Sequence, residues 1–372
     1  MAIARATKGI LLVGTLATLS ALPVAMHLAR LPSRTLLAPE GWAALEQSDA
    51  KRAASIFARE LEQHPSEPTL HFGAGTAAYA QGRSGPALAS LRKAVDLDPR
   101  FPEAWVMLGR VAYDRGDSRL AIESMEKAVE LRPRDRFAAE LLERWRRESS
   151  VHRSYIEKPG EHFRIMYEGG MQQAIGERVG RVLDREYRRI GNTLNSFPSE
   201  PITVILYTNQ EFHDVTRSPS WAGGHYDGRI RIAVGGTIDP THLDRIVAHE
   251  LVHAVVASAA PRHVPAWLNE GLAMHLESSD RGWIPPALRQ AGSIVPLDAL
   301  TGGFSGLDER AAVGAYAESA IAAEILAAKL GSNVGAFLKL VGSGTPVDSA
   351  LLEFQVQPNA FHAEWRRRVG LQ

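Results

Sequence analysis

The sequence predicts a mostly α-helical chain: an N-terminal α-solenoid of paired helices, then a small mixed α+β domain, then a closing lobe of helices. Three observations carry this. Residues from 41 to about 148 match themselves at a shift of 34. Residues 162–234 hold short runs of strand character around one long helical run. Beyond residue 238 the apolar residues recur at helical spacing, with Gly and Pro marking the breaks. The length of 372 residues suits two or three domains. The expected division is 1–38 for a targeting segment and linker, 39–148 for the solenoid, 149–280 for the mixed domain and 281–372 for the helical lobe.

Composition narrows the function. With 45% hydrophobic and 23% charged residues the chain is ordinarily globular. The 42 basic and 42 acidic residues cancel, which argues against a nucleic-acid binder relying on a broad basic field. There is no cysteine, so disulfides, Cys-ligated metals and thiol catalysis are excluded. The compartment stays open on this count, because a cysteine-free chain suits either redox environment.

Arg5 and Lys8 precede an uncharged stretch from Gly9 to Met26. A basic start before an apolar run is the layout of an export signal, and the run is near the lower limit for spanning a bilayer. No small-x-small cleavage site follows, since Pro23 precedes Ala25 and His27 precedes Ala29. The segment reads as an uncleaved membrane anchor, with a cleaved signal as the alternative. Both place the remainder outside the cytoplasm.

The solenoid rests on matched positions. Pro68 pairs with Pro102, Gly75 with Gly109, Tyr79 with Tyr113, Gly82 with Gly116, Ala87 with Ala121, Ala94 with Ala128 and Pro99 with Pro133. The small residues let the two helices of a hairpin approach, and the prolines end each unit. Ala53, Phe57 and Pro65 mark a degenerate first copy. This period is the signature of tetratricopeptide repeats, and Trp105, Leu108, Gly109, Ala121, Ala128 and Pro133 resemble that family closely. Such stacks present a concave face to a peptide or partner protein; a rigid spacer is the other reading. Residues 134–150 read as a solvated final helix that caps the stack.

After a linker around Glu157–Gly160, residues 162–168 alternate like a strand, and 171–195 carry helical spacing at Ile175, Val179, Val182, Tyr187 and Ile190. Residues 201–208 read as a buried strand and 224–234 as an edge strand. Two helices follow, one opening near Asp239-Pro240-Thr241 and one starting at Pro265-Ala266.

The first of these helices contains His249-Glu250-Leu251-Val252-His253. Histidines at i and i+4 share a helical face, so both rings reach one zinc ion, while Glu250 is rotated about 100° away, towards a metal-bound water. The surrounding run is apolar, and burial would leave two imidazoles and a carboxylate poorly satisfied without a metal. Glu270 follows in Trp267-Leu268-Asn269-Glu270-Gly271 on the next helix and completes two His and one Glu, leaving a position open as catalytic zinc requires. The carboxylates next in line are Asp244, Glu277 and Asp280. His225, His263 and His275 are expected outside the ligand set, and Trp221 and Trp267 in the core.

HELVH followed by PAWLNEGLA resembles the gluzincin metallopeptidases, with WLNEG most similar to the aminopeptidase N group. The resemblance implies a zincin-like domain with His249, His253 and Glu270 as zinc ligands and Glu250 as general base. The layout with repeats in front looks most like bacterial peptidase MA-like proteins. No GAMEN-like motif precedes the zinc helix, only Gly223-Gly224-His225-Tyr226, so an endopeptidase cleft along the 224–234 edge strand is expected. A Tyr or His from the second lobe often donates to the oxyanion in this clan, and Tyr316, opening the helix 313–330, is the residue similar in position. The competing reading is a non-catalytic tetratricopeptide scaffold with a protease-like binding domain.

Overall fold

The computed structural model describes residues 37–370 except 48, 171–172, 219–221, 237–238, 261–263, 278–279 and 305. The expected anchor before residue 37, together with Trp221 and His263, lies outside the described residues. The described chain forms two compact units that divide between Arg153 and Ser154.

The first unit holds seven helices: α1 (Pro39–Glu46), α2 (Ala50–Gln63), α3 (Pro68–Ala80), α4 (Ser84–Leu97), α5 (Pro102–Asp114), α6 (Ser118–Leu131) and α7 (Arg136–Val151). Proline stands in the first turn of α1, α3 and α5, where its missing N–H costs nothing. The side chains of Asp49, Asp117 and Asp135 cap α2, α6 and α7. Consecutive helices pack in hairpins, closely at Gly75, where a Cβ would stand 2.7 Å from Leu91. One contact repeats with the period of the sequence. The Tyr79 hydroxyl donates to the Asp114 carboxylate and the Tyr113 hydroxyl donates to Glu148, each pair the previous one shifted by a repeat. Helix α7 is therefore more than a solvated cap: it repeats the role of α5, with Trp145 buried and stacked on Tyr113 at 4.6 Å.

The second unit opens on a five-stranded sheet, β1 (Tyr155–Pro159), β2 (Phe163–Glu168), β3 (Ile202–Tyr207), β4 (Gly224–Tyr226) and β5 (Ile230–Ala233), in the order β1-β2-β3-β5-β4. The central strands β2, β3 and β5 run parallel, and β1 and β4 pair antiparallel at the ends. Two sequence expectations change here. The segment read as a linker is strand β1: its Glu-Lys-Pro is tolerated because it borders the sheet and is exposed. The segment 224–234 is not one edge strand but a hairpin folded at Asp227-Gly228-Arg229, with Gly228 at φ 97°. Of its two strands, β4 lies at the edge of the sheet, while β5 is internal and wholly buried.

Phe163, Ile165, Val204, Leu206, Ile230 and Ile232 form one buried face of the sheet. Against it pack α8 (Gln173–Leu194) and α10 (Pro240–Ala259), while α9 (Asn209–Thr216) follows β3. The remaining helices are α11 (Ala266–Glu277), α12 (Ile284–Ala291), α13 (Glu309–Leu330), α14 (Val334–Gly342), α15 (Val347–Glu353) and α16 (Pro358–Val369). They share the hydrophobic core of the sheet, so residues 154–280 and 281–370 are one packed body. Helix α13 starts at Glu309, capped by Asp308, so Tyr316 lies in its interior and does not open it.

Candidate metal centre

Helix α10 is fixed at its start by Asp239, whose carboxylate accepts the His242 N–H at 2.9 Å, with Pro240 in the first turn. Its apolar residues run almost all round, so it is buried between the sheet and α11. His249 and Glu250 are 0% exposed, His253 1% and Glu270 2%. Helix α11 brings Glu270 to the histidines. Its Oε2 lies 3.5 Å from His249 Nε2 and 3.7 Å from His253 Nε2. One ligand atom from each of the three residues falls within 4.8 Å of the others. Gly271, beside Glu270, lets α13 close in: a Cβ there would lie 2.3 Å from the Ser319 carbonyl oxygen.

The outer ring nitrogens are spoken for. His249 donates its Nδ1–H to Glu277 Oε2 at 2.7 Å, and Glu277 Oε1 accepts from Arg245 Nη2 at 2.7 Å. His253 donates its Nδ1–H to Asn269 Oδ1 at 3.0 Å. These bonds turn both Nε2 atoms towards Glu270. Among the described residues, neither Nε2, nor either carboxylate oxygen of Glu250, has a hydrogen-bond partner. A buried polar group left unsatisfied costs on the order of 1–3 kcal/mol. A divalent cation held by two imidazole nitrogens and a carboxylate would remove that cost, so the residues present fit a metal.

The charges agree. Burial opposes protonation of His249, but the Glu270 and Glu277 carboxylates outweigh it and lift its pKa to about 10. Burial lowers that of His253. Burial, with Glu270 and Glu277 nearby, pushes the Glu250 carboxyl up to about 8. Glu277 is pulled below its ordinary value because His249 and Arg245 outweigh its burial. Such a cluster takes up a cation in exchange for protons.

The other candidates sort out by contact. Asp244 is held by the Arg178 guanidinium at 2.9 Å through both oxygens. Asp280 accepts the Gly282 N–H at 2.9 Å. Glu277 stands behind His249, as its orienting partner. His275 meets Arg281 at 3.0 Å, and His225 lies 4.0 Å from Asp227. Trp267 is buried and stacked on Phe361. Tyr316 is buried, edge-on to Phe304, one turn before Ser319 on the face of α13 that meets Gly271. The motifs in the sequence give no role to Asn269 or Arg245, which hold His253 and Glu277. The available signal was spacing: Glu277 lies two turns beyond Glu270, on the same face.

Residues 188–369 match the family model described as Peptidase MA superfamily, and residues 39–100 and 74–136 match the tetratricopeptide repeat. The chain thus carries a Peptidase MA superfamily domain behind tetratricopeptide repeats. Among solved structures it is similar to the Sgt2 TPR domain from Aspergillus fumigatus, at 25% identity over 34% of this chain and 84% of that one, with a TM-score of 0.31. It is also similar to the first TPR of Spaghetti (RPAP3) bound to HSP90 peptide SRMEEVD, at 18% identity over 31% and 90%, with a TM-score of 0.30. No curated protein matches the chain.

Proposed function

We propose that this Peptidase MA superfamily domain is a zinc-dependent endopeptidase, tethered at the membrane by the N-terminal segment, with its tetratricopeptide repeats binding a peptide or protein partner. The observation that carries the reading is the convergence of two partnerless imidazole nitrogens and the Glu270 carboxylate beside the unpaired Glu250. His249, His253 and Glu270 would hold the metal. Zinc bound there would supply Lewis acidity, polarising the scissile carbonyl and bringing the pKa of water to about 7.

The chain's own residues do the rest. Glu250 takes the proton of the attacking water and passes it to the leaving amine. A carboxylate can both take a proton from water and pass it on, so one residue serves both halves of that transfer. Tyr316 donates a hydrogen bond to the developing oxyanion. Strand β4 at the end of the sheet pairs with an extended substrate by β-addition.

The second reading, a protease-like domain that binds without turnover, gives Glu250 no chemical task, yet its carboxylate is buried at a cost. One experiment separates the two: metal analysis of the purified protein with peptide cleavage assayed with and without chelator, on the parent and on Glu250→Gln. The expected result is about one zinc per chain in both proteins, cleavage abolished by chelator, and a loss of at least about 100-fold in kcat for the variant. Loss of zinc in Glu250→Gln would make Glu250 a ligand; a zinc-loaded parent with no cleavage of any peptide would favour the binding module.

A further inference from the structure

Gly224 lies on β4, and a Cβ built on it would stand 2.5 Å from Glu250 Oε1, 2.9 Å from Glu250 Cγ and 2.8 Å from Ile246 Cγ2. Its backbone is not in the left-handed region. Glycine is therefore favoured here by space and not by dihedral angle: with any Cβ a neighbour must shift. The strand presses its bare backbone against the carboxylate of α10, whose oxygens have no hydrogen bond from any described residue to hold them.

The strand cannot retreat from that contact. Gly224 pairs with Ile232, which is fully buried, and the Gly223 carbonyl accepts the Ala233 N–H at 2.9 Å. At the hairpin turn Asp227 accepts from Arg231 Nε at 3.1 Å, and Arg231 Nη1 donates to the Tyr207 hydroxyl on β3 at 2.7 Å. Ile246, on the other side, is packed in the core. Of the atoms around position 224, the freest to move is the Glu250 carboxylate, the end of a flexible side chain.

We propose that Gly224 is a positioning residue for Glu250: the missing side chain lets the edge strand hold the carboxylate by contact, where no described side chain or backbone group holds it by a hydrogen bond. This rests on Glu250 being the general base. A methyl group at 224 displaces the carboxylate by an ångström or so and leaves His249, His253 and Glu270 in place. A misplacement of about 1 Å costs roughly 100-fold in rate.

The test uses the zinc-loaded full chain with Gly224→Ala, Glu250→Ala and the double variant. Gly224→Ala is expected to keep its zinc, to hold KM within about threefold and to lose about 100-fold in kcat. In thermal unfolding, Gly224→Ala should lower Tm in the parent and lower it less in the Glu250→Ala background, where the colliding atoms are gone. An equal loss in both backgrounds would show that the methyl meets Ile246 alone and would overturn the proposal. So would an active parent whose Gly224→Ala variant cleaves equally well. A parent that cleaves no peptide would instead overturn the general-base reading on which the proposal stands.

Discussion

Glu277 Oε2 lies 2.7 Å from His249 Nδ1, while the other oxygen of the same carboxylate takes a hydrogen bond from Arg245. The carboxylate thus fixes which nitrogen of His249 carries the proton and which faces Glu270. Asn269 does the same for His253 without a charge. Removing such a partner costs about 10–100-fold in metal affinity. Glu277→Ala is therefore expected to weaken zinc binding by that factor in a chelator competition titration, and Asn269→Ala similarly. Glu277→Gln, which still offers an oxygen acceptor, should lose less. Equal affinities across all three variants would mean that packing alone orients the rings.

Glu270 is tested by its charge. Glu270→Ala leaves two imidazoles, so zinc affinity should fall strongly and added zinc should no longer raise the melting temperature, because metal binding couples α10 to α11. Glu270→Gln keeps shape and an oxygen but not the charge; the fold should stay intact with metal binding weakened. Full zinc occupancy and normal cleavage in Glu270→Ala would place the third ligand elsewhere.

These residues also show what the sequence makes legible. The clustering of His249, His253 and Glu270 is legible because a His pair four residues apart on one helix is a local pattern, and the WLNEG string marks the glutamate that joins them. The repeats were found because their contacts recur: Tyr79 and Tyr113 differ by one period, and so do their acceptors Asp114 and Glu148. Strand β1 leaves no mark in the sequence because an exposed border strand needs no apolar alternation. The hairpin reads as one strand in the sequence because the alternation runs on through its turn, while Asp227 and Arg231 are buried by pairing with each other. The contact between Gly224 and Glu250 joins residues far apart in sequence and leaves no local pattern at all.

The anchor proposed from Arg5, Lys8 and the apolar run to Met26 predicts a topology. Residues beyond about 35 are expected outside the cytoplasm. A reporter fused at the C-terminus should be active only if it works in an extracytoplasmic compartment. Deleting the apolar run should release the protein to the cytoplasm. A reporter that works only inside would overturn the export reading.

Glu318 on α13 gives the pH dependence that is simplest to isolate. Its side chain is fully buried; both carboxylate oxygens lie 3.2 Å from the Val295 N–H, and its own carbonyl takes the Trp365 indole N–H. Burial raises the carboxyl from an ordinary 4.5 to about 7, opposed only by the Val295 hydrogen bond. The folded chain then binds a proton in a range where the unfolded chain has released it. Stability rises with pH where the unfolded state holds more protons, and here the folded state holds more, so the sign is negative. The contribution of Glu318 is fully present below about pH 4.5 and is lost as the pH climbs through about 7. Each pH unit in that window weakens the fold by up to about 1.4 kcal/mol. Glu318→Gln keeps an acceptor for Val295 and cannot ionise. Urea unfolding of both proteins at a series of pH values should therefore show a gap that opens between pH 4.5 and 7 in favour of the glutamine variant, then stays constant. Other titrating groups, the metal cluster included, are common to both proteins and cancel in the difference. Parallel curves across that window would mean that Glu318 ionises at its ordinary pKa despite its burial.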